Sequence, residues 1–169
     1  MARVAFVLEN DFEDSEFRVP YDTLTKAGHD VTVVGTEKGK EVSGKRGKEA
    51  FAVEATADMV SPEEFDALVV PGGWSPDKLR MDAGIVAFVA AFGRESKPVA
   101  AICHAGSLLV DADLVDGATV TSYPSIRRDL ENAGADWVDQ EVVEDGFLIT
   151  SRNPNDLPAF CDAILRRLT

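Results

Sequence analysis

The sequence has few of the residues that mark secreted, metal-binding or membrane proteins. Two of its 169 residues are cysteine, Cys103 and Cys161, and two are histidine. The cysteines have no paired spacing, so we expect neither a disulfide framework nor a zinc site. No apolar run approaches the roughly 20 residues that span a bilayer, and the first residues lack the pattern of a secretory signal. These absences predict a cytoplasmic protein.

Basic residues are also scarce. Seventeen Lys and Arg stand against 30 Asp and Glu, which gives a formal net charge of −13. Such a charge repels phosphate backbones and anionic lipids, so we expect neither nucleic acid nor a membrane as partner. No HExxH, Walker or GxGxxG motif and no carboxylate-rich metal constellation occurs, so we expect no cofactor and no metal.

What is present is typical of a soluble globular chain, with 45% hydrophobic and 28% charged residues. The length suits one domain, which we predict to span residues 1–169. Five short apolar runs rich in β-branched residues predict buried strands at 4–8, 31–34, 67–70, 99–102 and 118–121. Helix-like segments lie between several of them, at 15–27, 82–94, 105–110 and 125–133. This alternation predicts a doubly wound α/β fold with a mostly parallel sheet.

The remaining segments refine that prediction. Residues 39–54 alternate around two glycines and predict a β-hairpin, and Ser61 to Glu64 has the pattern of a capping box. Residues 137–143 and 147–151 predict two late antiparallel strands, and 155–168 predict a closing helix.

Ligands of open α/β sheets bind beyond the carboxyl ends of the strands, so the residues there are the first candidates for chemistry. Cys103 follows a predicted strand and begins a predicted helix, which is the arrangement of a nucleophile elbow. The helix N-terminus favours the thiolate, and we expect it to lower the cysteine pKa. The alternative is that Cys103 is a small hydrophobic residue that fills the end of the strand.

Two polar neighbours are candidates to assist the thiol. His104 could act as acid, base or ion-pair partner, or it could cap the helix on the rim of the site. Glu13 follows the first strand in an acidic loop; it could serve as general acid/base if the two strands are neighbours, or it could be solvated. His29 and Cys161 are interpreted as structural.

Backbone and aromatic groups complete the candidate set. Gly72 and Gly73 follow the third strand and leave backbone N–H groups open to a ligand, as an oxyanion hole requires, although a plain tight turn explains them equally well. Tyr123, after the fifth strand, could hydrogen-bond a substrate or fill the core.

Several motifs together resemble the ThiJ/PfpI family, in its branch of intracellular proteases and stress-protein deglycases, nearly from end to end. They are Asp11 to Phe17, Ala27 to Val31, Pro62 to Leu68, Pro71 to Asp77, Ala101 to His104, Asn132 to Gly134 and Asp156 to Phe160. The resemblance implies a flavodoxin-like three-layer sandwich with a nucleophile elbow.

The resemblance also implies roles for particular residues. Cys103 is the nucleophile, Glu13 contacts its sulfur, and the backbone amides of Gly73 and His104 form the oxyanion hole. Asp77 of a neighbouring subunit completes a Cys-His-acid set in a dimer or hexamer. Tyr123 falls on a site position of the family.

The chain departs from the branch at two places. Ala105-Gly106 stands where Gly-Pro is common, and Asp77 is one methylene shorter than the glutamate of some relatives. The related glutamine amidotransferases need a histidine well downstream of the cysteine, and no histidine follows His104, which excludes that activity.

Three hypotheses for the function follow. The first is a stress-response enzyme for reactive carbonyls, a glutathione-independent glyoxalase or protein deglycase, with Cys103 as nucleophile and Glu13 moving protons. The second is an intracellular cysteine peptidase that uses Cys103, His104 and Asp77. The third is a redox sensor or chaperone in which Cys103 is oxidised.

Overall fold

A seven-stranded, mostly parallel sheet lies between two layers of helices in the computed structural model, which describes residues 1–169. The strands are β1 (Arg3–Val7), β2 (Asp30–Gly35), β3 (Glu41–Ser43), β4 (Ala50–Ala52), β5 (Ala55–Thr56), β6 (Ala67–Val70), β7 (Val99–Ile102), β8 (Thr119–Val120), β9 (Asp136–Trp137), β10 (Val143–Asp145) and β11 (Leu148–Ser151). The helices are α1 (Asp14–Lys26), α2 (Ser75–Leu79), α3 (Ala83–Arg94), α4 (Gly106–Asp111), α5 (Arg127–Asn132) and α6 (Leu157–Arg167). The predicted α/β class with a parallel sheet is confirmed.

The order of the strands in the main sheet is β10-β11-β7-β6-β1-β2-β5, and only β10 runs antiparallel to its neighbour. Strands β6 and β7 are buried at every residue and have the predicted bounds. Because β1, β6 and β7 are adjacent and parallel, their carboxyl ends meet at one edge. That edge is where the candidate site lies.

One predicted strand lies outside the main sheet. The run at 118–121 does not join the main sheet; it forms β8, which pairs only with β9 in a separate two-stranded sheet. The place beside β7 is taken by β11, parallel to it, and β10 and β11 pair in the predicted antiparallel sense. The bounds predicted for the first of these two strands are wrong, because only the end residues of 137–143, Trp137 and Val143, lie in strands. A short run of apolar residues indicates that a strand is buried but not which strand it pairs with. The sequence therefore did not show whether the run at 118–121 lies inside or outside the main sheet.

Side chains of the central strands alternate between two cores, as the pleat requires. In β1, Val4 and Phe6 face the layer of α1 and α6, whereas Ala5 and Val7 face the layer of α3, α4 and α5. The helices cover the sheet on both sides, which is why its strands have continuous apolar runs. No helix of the chain is long and apolar enough to cross a bilayer.

Candidate active site

Cys103 stands at a sharp turn directly after β7. Its φ is +62°, a left-handed conformation that side-chain-bearing residues rarely adopt. A short 3₁₀ helix (Cys103–Ala105) and α4 follow at once. The turn raises the side chain above the sheet edge, as in the predicted elbow, although only 7% of the residue is exposed.

The carboxyl group beside the thiol belongs to Glu16, in the first turn of α1. Glu16 is fully buried, and its Oε1 accepts a hydrogen bond of 3.0 Å from the Gly72 backbone N–H. Its Oε2 has no nitrogen or oxygen partner, and the interaction of the carboxyl group with the Cys103 thiol is close enough to affect its titration. Burial, reinforced by the charge of Glu13, raises the pKa of Glu16 to about 8. Glu16 is therefore mainly protonated at neutral pH.

The expected contact between Glu13 and the sulfur is wrong. Glu13 precedes α1, and its two carboxylate oxygens are in ion pairs with Lys45, at 2.8 Å, and with Arg46, at 2.6 Å. Burial raises the pKa of Glu13, but hydrogen bonds from Arg46 and Lys45 outweigh burial and hold that pKa below its usual value. Glu13 is thus a charged carboxylate that faces two cations, one helical turn from the carboxyl that faces the thiol.

The predicted lowering of the thiol pKa is also wrong in direction. Burial, together with the charge of ionised Glu16, raises the pKa of Cys103 to about 12, although the backbone N–H groups of His104 and Gly73 oppose the rise. The helix dipole at the start of α4 does not compensate for the loss of water. The resting thiol is protonated, so its activation requires a neighbour that removes the proton.

His104 lies between two aromatic rings. Its ring centroid is 5.2 Å from that of Trp74 and 4.9 Å from that of Tyr123. Burial and, secondarily, the charge of Lys45 lower the pKa of His104, so the imidazole is neutral at physiological pH. Tyr123 is 41% exposed and its backbone N–H donates to the Cys103 carbonyl, so its ring contributes to the rim and not to the core.

The two glycines contact the carboxyl group and the thiol through their backbone N–H groups. Gly72 donates to Glu16, and Gly73 has a φ of +77° and directs its N–H towards the sulfur. The amides that the family resemblance assigns to the oxyanion hole, those of Gly73 and His104, therefore flank the thiol. Asp77 is exposed in α2 and lines a second cavity with His104, and no hydrogen bond joins these two residues within the chain.

Glu16 and two cationic residues of the site were missed by the sequence prediction. Lys45 and Arg46 lie in the turn between β3 and β4, and they line the same cavity of about 410 Å³ as Glu16, Cys103 and His104. The predicted hairpin at 39–54 is confirmed, but its role as a wall of the site was not foreseen.

Comparison with known proteins identifies the family of the chain. A model of the DJ-1/PfpI family matches residues 2–167. The chain belongs to the DJ-1/PfpI family. The relatives of this DJ-1/PfpI chain include general stress protein 18 of Bacillus subtilis, 51% identical over 94% of this chain and 92% of that protein. Protein/nucleic acid deglycase 2 of Escherichia coli is 47% identical over 98% and 97%, and the putative cysteine protease YraA of Bacillus subtilis is 45% identical over 94% and 93%.

Solved structures of DJ-1/PfpI proteins share the fold. A two-domain protein of Anabaena variabilis with DJ-1/ThiJ/PfpI-like and ferritin-like domains superposes with a TM-score of 0.98 at 42% identity, over 99% of this chain and 48% of that one. Drosophila melanogaster DJ-1beta gives a TM-score of 0.91 at 30% identity, over 99% and 90% of the two chains. The predicted family and the flavodoxin-like sandwich are confirmed.

The titration of this DJ-1/PfpI site predicts how fast Cys103 reacts with iodoacetamide. Below pH 8 the pair of Cys103 and Glu16 holds two protons, and the reactive form appears when the first is lost. We expect the alkylation rate of Cys103 to rise about tenfold per pH unit up to about pH 8 and then level off. Mass spectrometry of the Cys103 peptide measures the alkylation of Cys103 separately from that of Cys161. A rate that is already constant at pH 6 would instead indicate a free thiolate.

Proposed function

We propose that the chain is a cysteine-dependent enzyme for reactive carbonyls, a glutathione-independent glyoxalase or protein deglycase. The observation that supports it best is the pairing of the Cys103 thiol with Glu16, a buried and mainly protonated residue in the first turn of α1. One group is the nucleophile and the other moves protons at neutral pH. The relative named protein/nucleic acid deglycase 2 supports the same class of reaction.

Methylglyoxal illustrates the steps. Glu16, as carboxylate, takes the thiol proton while the sulfur bonds to the aldehyde carbon, and the carbonyl electron pair moves to oxygen, facing the N–H groups of Gly73 and His104. That oxygen takes the proton from Glu16 and gives a hemithioacetal.

The second half of the reaction uses the same carboxylate. Glu16 removes the hydrogen on the former aldehyde carbon while the ketone oxygen takes a proton from solvent, which gives an enediol. The neighbouring carbon then takes a proton and the hydroxyl on the first carbon releases one to solvent, which gives a lactoyl thioester. Water then hydrolyses the thioester, which releases lactate and restores the thiol. The sum is methylglyoxal plus water to lactate, so no external oxidant or reductant is needed.

A cysteine peptidase is the second candidate, because Asp77 and His104 line one cavity beside Cys103. A relative of this chain is named a putative cysteine protease. A peptidase needs His104 to protonate the leaving amine, and the imidazole is held between Trp74 and Tyr123 without a carboxylate hydrogen bond in the same chain. This arrangement ranks the peptidase second, with Asp77 of a neighbouring subunit as its proposed partner.

The test is the identity of the product. The purified chain is incubated with methylglyoxal in D₂O without glutathione, and lactate is followed by NMR, with Cys103→Ala as the blank. We expect lactate that carries deuterium on its second carbon, since the enediol takes up a solvent proton. The same two proteins are assayed for peptide cleavage.

Two results would contradict the proposal. One is equal lactate formation by wild type and by Cys103→Ala. The other is no lactate from wild type, with either Cys103-dependent peptide cleavage, which favours the peptidase, or only oxidation of Cys103 by mild peroxide, which favours a sensor.

A further inference from the structure

The turn between β3 and β4 is fixed to the rest of the site by its backbone. The Lys45 N–H donates to the Phe12 carbonyl at 2.8 Å, and the Arg46 N–H donates to the Asp14 carboxylate at 2.9 Å. The same carboxylate accepts from the backbone of Lys48 and Glu49. These four backbone hydrogen bonds restrict the motion of the turn, so the two cations next to Cys103 are positioned in advance.

The charges of the cavity do not balance. Glu13 is the only charged acid in its lining at neutral pH, because Glu16 is mainly protonated, and it faces two cations. Arg46 uses its Nε for Glu13 and leaves both terminal amino groups without a protein partner. Its side chain is 58% exposed. The cavity wall therefore has one surplus positive charge in a chain whose net charge is −13.

We infer that Lys45 and Arg46 form an anion subsite beside Cys103, and that the substrates this site prefers have a carboxylate or phosphate close to the reactive carbonyl. The free edge of a guanidinium binds either group through two parallel hydrogen bonds. Lys45 adds a second charge, and its Nζ lies 5.9 Å from the centroid of the Trp74 ring, on the side of the cavity where His104 stacks. The preference for a substrate rests on the proposed function, whereas the subsite itself rests on this geometry.

The subsite is tested without turnover by two alkylating agents of nearly equal shape. Iodoacetate is an anion and iodoacetamide is neutral, and in both the thiolate attacks the same methylene carbon and displaces iodide. The ratio of their rates at Cys103 is divided by the ratio for a small free thiol under the same conditions. We expect the quotient to be about five or more at low salt and to fall towards one at high salt.

Arg46→Gln is the decisive variant, because it removes the exposed charge and keeps the backbone hydrogen bond to Asp14. We expect it to lower the quotient at least threefold, because the screened charge of Arg46 no longer attracts the carboxylate of iodoacetate. Lys48→Gln is the matched control. Lys48 is an exposed cation of the same turn that does not line the cavity, so the quotient should not change. A quotient near one in wild type, or equal effects of the two variants, would overturn the inference.

A turnover experiment separates the subsite from the proposed function. γ,δ-Dioxovalerate is an α-oxoaldehyde that ends in a carboxylate, and its methyl ester is the uncharged match. We expect kcat/KM to favour the acid over the ester in wild type and the preference to fall in Arg46→Gln. If wild type turns over both compounds without preference, the subsite is rejected and the proposed function stands. If it turns over neither compound and the alkylation quotient is high, the proposed function is rejected and the subsite stands.

The two anionic groups are distinguished by competition. Inorganic phosphate and acetate are added to the iodoacetate reaction at equal ionic strength. We expect slowing by at least one of them in wild type and by neither in Arg46→Gln, and the stronger competitor identifies the preferred group. No slowing by either anion at high concentration would count against the subsite.

Discussion

Replacing Glu16 by glutamine is expected to lower kcat/KM for methylglyoxal about 10²–10⁴-fold, the usual contribution of a general acid/base. Glutamine has the shape of glutamic acid and still accepts the hydrogen bond from the Gly72 N–H, which is 3.0 Å long. It cannot take the thiol proton, and the raised pKa of Cys103, about 12, leaves the thiol protonated without help. Steady-state formation of lactate measures the effect.

Glu13→Gln is the matched control, since it makes the same change three residues away. Its carboxylate faces Lys45 and Arg46, so we expect a clearly smaller loss than for Glu16→Gln. The charge of Glu13 is one reason why the pKa of Glu16 is raised. The variant should therefore also lower the pKa of Glu16 and shift the pH profile of kcat/KM to lower pH. A severe loss in Glu13→Gln together with a mild one in Glu16→Gln would return the proton transfer to Glu13.

Glu16→Gln, which is expected to lower activity, is expected to have the opposite effect on stability. Folding raises the pKa of Glu16 from 4.5 to about 8. The unfolded chain loses this proton above about pH 4.5 while the folded chain keeps it, so the contribution of Glu16 to stability falls as the pH rises towards 8. Glutamine stays neutral. We therefore expect the Tm of Glu16→Gln relative to wild type to increase from pH 4.5 to pH 8, by several degrees.

Cys103 and its elbow could be predicted from the sequence because a strand, a cysteine and a helix are adjacent in the chain. Glu16 could not be found by inspecting strand ends, since it lies inside α1. A signal existed, however: positions 16, 20 and 24 share one face of the helix, and Pro20 and Leu24 are buried. A glutamate on the buried face of a helix that begins at the sheet edge is a better candidate for a raised pKa than one in the loop before it.

The electrostatics of the site depend on contacts that sequence patterns do not contain. The predicted lowering of the thiol pKa considered only the helix N-terminus, whereas burial at 7% exposure dominates. Lys45 and Arg46 reach the site because Asp14 and Phe12 hold the turn of the hairpin at the start of α1. These are long-range hydrogen bonds, and the charged residues of a hairpin turn are indistinguishable in sequence from solvated ones.

The fold itself was predictable where burial alone decides it. Strands β6 and β7 occupy the predicted residues, because each is apolar throughout and bounded by turn residues. That β8 lies outside the main sheet could not be predicted, because the run at 118–121 is as apolar as β11, which pairs with β7. Helix α2 was missed for a different reason, because its five residues are too few for a helical period.

Gly72→Ala is expected to damage the site and the fold together. A Cβ at this position would lie 2.8 Å from the Ile102 carbonyl oxygen and 2.8 Å from the Cys103 Cβ, and closer still to Glu16 Oε1. The first of these is backbone of β7 and cannot move aside cheaply. Relief requires Gly72 to move away from Glu16, which lengthens the hydrogen bond that orients its carboxyl. We expect a loss of about 1–3 kcal/mol in the free energy of unfolding, as overpacking usually costs.

Activity should fall further than stability alone explains, because displacing a reacting group by about 1 Å can cost on the order of 100-fold. Denaturant unfolding and kcat/KM measured on the same preparation separate the two effects. Gly84→Ala is the control: Gly84 lies in the first turn of α3 and does not line the cavity of the thiol, and the new Cβ would lie 3.2 Å from the Asp82 Oδ1 that caps this helix. We expect its stability to stay within about 1 kcal/mol of wild type and its turnover to be unchanged. If Gly72→Ala matched it, the close approach of Gly72 to Glu16 would not be what orients the acid.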